Sequence, residues 1–190
     1  MWCSTRWRAE PVRALARVLT FTLGLLLAAA PALAHPELPG SRLQGEATLR
    51  YFGLRIYHAR LWTLPDYRVS QPVDQPLVLE LEYLRELKGL LIAERSLKEM
   101  RRGAQITDAQ AERWLTEMQR IFPDVKAGDR ISGQHLPGRG ARFWHNGHLA
   151  GQIDDAAFAR LFFGIWLAPS TSEPDMRLAL LGQTGTEPAR

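Results

Sequence analysis

Residues with chemical promise crowd one short stretch, "LRYFGLRIYHARLW", which holds Arg50, Tyr51, Arg55, Tyr57, His58, Arg60 and Trp62. Guanidinium groups beside tyrosine and tryptophan can hold an amphipathic anion, with arginine on a carboxylate and apolar walls around a tail. The same residues also suit a sheet surface, where arginines lay their stems over apolar neighbours and keep their charge in water. Two histidines, His145 and His148, flank an Asn-Gly pair and invite a metal. Zinc wants at least three protein ligands and no third stands at a recognisable spacing, so no metal is expected. His35 could chelate copper through imidazole and a free amine if the chain were cut before it, or simply begin a flexible lead-in, "PELPG". Glu80 and Glu82 could be drawn as an acid–base pair, but a solvated strand face explains them more simply.

A second concentration of chemistry, "FFGIWLAPSTSEPDMRLALLG" at residues 162–182, combines aromatics, hydroxyls, an acid and a lone arginine. Ser172, Pro174 and Asp175 spell a helix start there, because a serine oxygen can accept an orphan backbone N–H. The stretch therefore reads as helix, turn and helix. No nucleophile elbow, phosphate loop, H-E-x-x-H or C-x-x-C pattern occurs in the chain. No cofactor is expected.

These groups sit in a chain of 190 residues, 46% hydrophobic and 23% charged, enough for one well-buried core. Arginines at 6, 8, 13 and 17 precede the apolar run "VLTFTLGLLLAAAPALA", which ends in an A-x-A pattern. Residues 1–34 thus read as a secretory signal peptide cut after Ala34, which predicts a periplasmic protein. Residues 35–182 form the expected domain and residues 183–190 a flexible tail. The leader holds four of the 24 Lys and Arg and one of the 20 Asp and Glu, leaving 20 against 19. Without a strong positive balance or a dense basic run, nucleic acid is not an expected partner. The one cysteine, Cys3, lies in the leader, so no disulfide or thiolate site is expected. No later segment is apolar enough to span a membrane.

The elements that must position any site follow from period and punctuation. Residues 44–63 read as two strands meeting near Gly53, and "PLVLELEY" alternates Leu77, Leu79, Leu81 and Tyr83 against Glu80 and Glu82. Helical spacing follows in Leu90, Ala93, Leu97 and Met100, with Gly103 as the stop. Thr107 and Gln110 form a capping box for a second helix that ends before Pro123. "DRISGQHL" is a strand, and Asn146-Gly147 marks a tight hairpin. Asp154 or Asp155 caps a helix through Trp166, and a last one runs from about Glu173 to Leu181. The order β-β-β-α-α-β-β-β-α-α predicts an α+β fold, an antiparallel sheet covered by helices.

Taken in order, "LRYFGLRIYHARLW", "LELEYLRELKGLLIAERSLKEMRR", "FPDVKAGDRISG", "FWHNGHLAGQIDD" and "FARLFFGIWLAPSTSEPDMRLALLG" resemble the bacterial exported branch of chalcone isomerase-like proteins. The resemblance implies a large antiparallel sheet with helices on one side and a cleft between them. It lays Arg50 on the family's arginine and Thr171 on its late hydroxyl. His58, Ile92 and Glu99 fall where the enzymes carry threonine, tyrosine and asparagine. Isoleucine cannot donate a hydrogen bond and an ionised glutamate can only accept one, so chalcone cyclisation is not expected. Non-catalytic relatives bind fatty acids, which implies a fatty-acid-like or aromatic small-molecule ligand near Arg50, Tyr57, His58 and Thr171. An isomerase or lyase built on Arg50, His58 and Glu99 is the alternative, and a ligand-free interaction module with a filled cleft is a third.

Overall fold

The computed structural model describes residues 34–183. The leader, apart from Ala34, and residues 184–190 of the tail lie outside the described residues. Six strands form one antiparallel sheet in sequence order: β1 (Arg42–Tyr51), β2 (Leu54–Thr63), β3 (Leu77–Tyr83), β4 (Arg130–Leu136), β5 (Gly140–His145) and β6 (His148–Ile153). The helices are α1 (Gly89–Gly103), α2 (Asp108–Ile121), α3 (Ala156–Leu167) and α4 (Pro174–Leu180), in the order the sequence predicts.

Alternation divides the sheet into two faces. Ala59, Leu61, Leu79, Leu81, Ile131 and Phe143 are buried with the helices in one core, as the two-residue period of a strand demands. The opposite face carries a polar ladder, in which Arg60 bonds Glu80 at 2.9 Å and Glu82 at 3.1 Å, and Arg130 also reaches Glu82. Glu80 and Glu82 are thus ion-paired across strands, an arrangement that stabilises a half-exposed sheet face. The segment before β1 covers part of this polar face rather than forming a flexible lead-in. His35 is buried against the Trp62 ring, its backbone N–H donates to Ser41, and Gln134 donates to the Glu37 carbonyl.

Caps and turns carry the boundaries. The Thr107–Gln110 capping box is complete, and the Asp155 carboxylate accepts from the amides of Ala157 and Phe158 at the start of α3. Burial pushes the Asp155 carboxyl up, but the Phe158 amide, the Trp114 indole, the Arg113 guanidinium and the Ala157 amide together hold it below the usual carboxylate range. Ser172 does not cap α4. Glu173 stands at that position, and its own N–H is taken by Thr171 Oγ1. Leu90, expected in the buried stripe of α1, is about half exposed, while Ala93, Leu97 and Met100 are buried as expected.

The helices meet the sheet unevenly. α3 lies on β4 and β5, α4 on β1, and α2 reaches β6, whereas α1 packs on α2 and α3. The start of α1 is pinned close to the end of α2, because a Cβ on Gly89 would fall 2.1 Å from the Phe122 carbonyl oxygen. The Gly89 N–H also donates to Asp124. α1 is therefore held from the helix side, and a space remains between it and the first three strands.

Candidate functional site

That space is a cavity of about 260 Å³. The sheet supplies Leu49 and Tyr51 from β1, Ile56 and Tyr57 from β2, and Leu81 and Tyr83 from β3. α1 supplies Leu91, Ile92, Arg95, Ser96 and Glu99, and the α3–α4 region supplies Phe162, Ile165, Trp166, Ser172, Glu173 and Met176. Most of this wall is hydrocarbon or aromatic ring. Tyr51, Leu91 and Arg95 are exposed as well as lining, so they mark the mouth.

Polar groups gather at a few points. The Trp166 indole N–H donates to the Tyr57 hydroxyl at 2.9 Å, joining α3 to β2. The Tyr57 oxygen is the acceptor in that bond, so its own proton is free to donate. Burial raises the Tyr57 phenol far above its ordinary pKa, against the opposing pull of the Trp166 bond, so it is a neutral donor at physiological pH. Burial raises Tyr83 in the same way, with Tyr57 nearby adding to it. At the mouth, the Arg95 guanidinium lies 5.9 Å from the centre of the Tyr51 ring, within cation–π range, and is ion-paired with Glu99 Oε1 at 2.9 Å. Glu99 Oε2 is buried without a hydrogen-bond partner, with Arg102 Nε at 3.7 Å.

The four residues singled out from sequence do not converge. Tyr57 lines the cavity. His58, its neighbour on the strand, necessarily faces the other way, where it contacts Thr48 Oγ1 at 3.0 Å and Glu46 at 3.1 Å on the polar face. Arg50 falls between Leu49 and Tyr51, both cavity residues, and is itself exposed outside the lining. Thr171 is spent on the turn into α4, and the adjacent Ser172 and Glu173 line the wall instead. The proposed trio of Arg50, His58 and Glu99 is split by the sheet, with only Glu99 on the cavity side.

Sequence reasoning missed Arg95, Trp166 and much of the 162–182 stretch as site residues. Arg95 and Glu99 have the i, i+4 spacing of an ordinary surface ion pair. Trp166 and Tyr57 are 109 residues apart. The usable signal was aromatic crowding in "FFGIW", which reads first as core.

Comparison with known proteins agrees with this architecture. A model of the chalcone isomerase-like family matches residues 41–182. The chain belongs to the chalcone isomerase-like family. An uncharacterized protein of Haemophilus influenzae is 34% identical over 114 residues, covering 60% of this chain and 55% of that protein, so the chain spans about half of the curated relative's length. Among solved structures, the Arabidopsis thaliana fatty-acid binding protein AtFAP1 superposes with a TM-score of 0.57 at 11% identity, covering 78% of this chain and 95% of that one. At that identity the likeness is one of fold. Among the described residues no helix is long and apolar enough to cross a membrane.

Proposed function

We propose that this chalcone isomerase-like protein binds a single-chain amphipathic acid of the fatty-acid kind in the cavity, without transforming it. The observation that carries the reading is a neutral tyrosine donor and an arginine set into a wall that is mostly hydrocarbon and aromatic ring, with Glu99, Glu173 and two serines as its other polar members. Glu99 is ion-paired with Arg95 at one Nη, which leaves the other N–H donors of the guanidinium for a ligand carboxylate, and Tyr57 adds a hydrogen bond of its own. The apolar walls suit the tail. The volume is just under the roughly 300 Å³ at the small end of ligand pockets, which favours a medium-length tail or one that protrudes at the mouth. The fold shared with a plant fatty-acid binding protein supports the same reading.

Catalysis on Arg50, His58 and Glu99 finds no support, since the sheet stands between them. The sequence of the leader supports export and periplasmic residence, with cleavage after Ala34. Intact mass of the protein recovered from a periplasmic fraction of a Gram-negative host tests that: an N-terminus at His35 is expected, and an uncut chain in the membrane fraction overturns it.

The direct test of binding is native mass spectrometry with organic extraction, followed by titration with cis-parinaric acid. A stoichiometric acid, with affinity lowered about tenfold or more in Arg95→Ala and several-fold in Tyr57→Phe, is the expected result. Absence of uptake at micromolar acid, or affinity untouched by both substitutions, overturns the reading.

A further inference from the structure

The mouth of the cavity carries features that do nothing for folding. Residues 52 and 53 form the β1–β2 turn with φ of 47° and 76°. Phe52 thus occupies the left-handed region, which bulky side chains rarely tolerate, and it is 88% exposed. Directly behind it Arg50 and Arg55 are cross-strand partners, and like charges in that position repel. Neither makes an ion pair among the described residues. Two unfavourable choices at one tip, offset only by an edge-on contact between the Phe52 and Tyr51 rings at 4.5 Å, point to a use outside the fold.

The surroundings say what that use is. Tyr51, Leu54, Leu90 and Leu91 are each about half exposed, so five of the eight exposed large hydrophobic residues among those described belong to the hairpin tip and the first turn of α1. Tyr51 and Leu91 also line the cavity, so the exposed patch and the cavity wall are continuous. Glu86 and Asp124, beside the start of α1, are paired with Lys88 and do not neutralise the hairpin arginines.

We infer that the β1–β2 tip and the first turn of α1 dock the cavity mouth onto an anionic lipid bilayer. Phe52, Leu54, Leu90 and Leu91 would enter the boundary between headgroups and acyl chains, and Arg50 and Arg55 would meet lipid phosphates. The bilayer is favoured over a protein partner by the cationic flank on an apolar tip and by the open route it gives a lipid tail into the cavity. This rests on the cavity being an amphiphile site, and the test separates the two.

The experiment is co-sedimentation with phosphatidylcholine vesicles that contain or lack phosphatidylglycerol, at low and high salt. Each variant is compared with a parent chain whose N-terminus is shown by intact mass to be the same. Binding is expected on the anionic vesicles and weakens with salt. It falls about tenfold in Phe52→Asn and about fivefold in each of Arg50→Ala and Arg55→Ala. Uptake of cis-parinaric acid in solution stays unchanged in all three, since none of these residues lines the cavity. Equal binding to neutral and anionic vesicles, or no effect of Phe52→Asn, overturns docking. So does a self-associated chain that Phe52→Asn converts to monomer while vesicles stay bare, which would assign the tip to a second copy. Vesicle binding as expected, with no acid ever entering the cavity, supports docking and sinks the amphiphile reading alone.

Discussion

The two ends of this sheet solve the same packing problem in opposite ways. At the β4–β6 end the helices sit directly on the strands. A Cβ on Gly151 would come within 2.8 Å of the Ile121 side chain from α2, and one on Gly133 would lie 3.2 Å from Phe143 and 3.3 Å from Phe163. Phe143 meets Phe122 and Phe162 edge-on, each at 5.1 Å between centroids, and fills what remains. At the β1–β3 end, α1 is fastened to α2 and α3 and the space beneath it stays open. The turns repeat the contrast. Both have two residues at positive φ, but the β5–β6 turn uses Asn146, whose side chain accepts from the Arg130 amide and donates to Asp129, while the β1–β2 turn exposes Phe52. One end is optimised for stability, and the other gives up stability where a site is wanted.

The sharpest way to break this contrast is to hollow out the filled end. Phe143→Ala should cost about 3–5 kcal/mol, because a buried ring with aromatic neighbours on several sides leaves a void that cannot collapse. Leu91→Ala, at the open end, should cost less than about 1 kcal/mol, since that side chain is already half in water. Urea denaturation of the two variants checks both figures, and equal losses would show that the ends are packed alike.

Next in size is the α3 cap at the closed end. Asp155→Ala should lose about 1–2 kcal/mol at neutral pH by freeing the Ala157 and Phe158 amides and the Trp114 indole. The native carboxyl titrates below the usual carboxylate range, so its contribution is complete above the unfolded value of about 3.9 and fades as pH falls through the folded one. The gap between parent and variant should therefore narrow below about pH 4, and denaturation curves at several pH values test it. A constant gap would mean that the ionised carboxylate is not the source.

Filling the open end should be nearly free. Ile92→Trp adds bulk on the cavity side of α1, where there is room, so stability should change by less than about 1 kcal/mol while acid uptake is lost. A large loss of stability would show that the space is not available to a side chain.

The contrast between the ends was only half legible in the sequence. Periodicity, the Thr107–Gln110 box, the Asp155 cap and Asn146-Gly147 act within a few residues, so they specify their elements locally and the element order could be read from them. The cavity depends instead on which face of β2 meets the helices. Alternation guarantees that Tyr57 and His58 point apart, but not which of them points inward, and an irregularity in register between Leu49 and Arg50 complicates the matching strand. The lift of α1 off the sheet depends on its packing with α2 and α3, a three-body outcome with no local signature. Arg95 therefore carries no local sign of a site, while Arg50 reads as a binding residue.

The smallest expected effect has the opposite sign. Phe52→Asn places at the first turn the residue type that the second already uses, and asparagine tolerates left-handed backbone better than phenylalanine does. Stability should rise by about 0.5–1 kcal/mol, because little packing is lost from a ring that is 88% exposed. A loss instead would mean that Phe52 is held by its edge-on contact with Tyr51, at 4.5 Å, and that the tip is a small structural cluster. A gain in stability alongside a loss of vesicle binding is the combination that a folding role for Phe52 cannot produce, since a residue kept for the fold does not weaken it by being present.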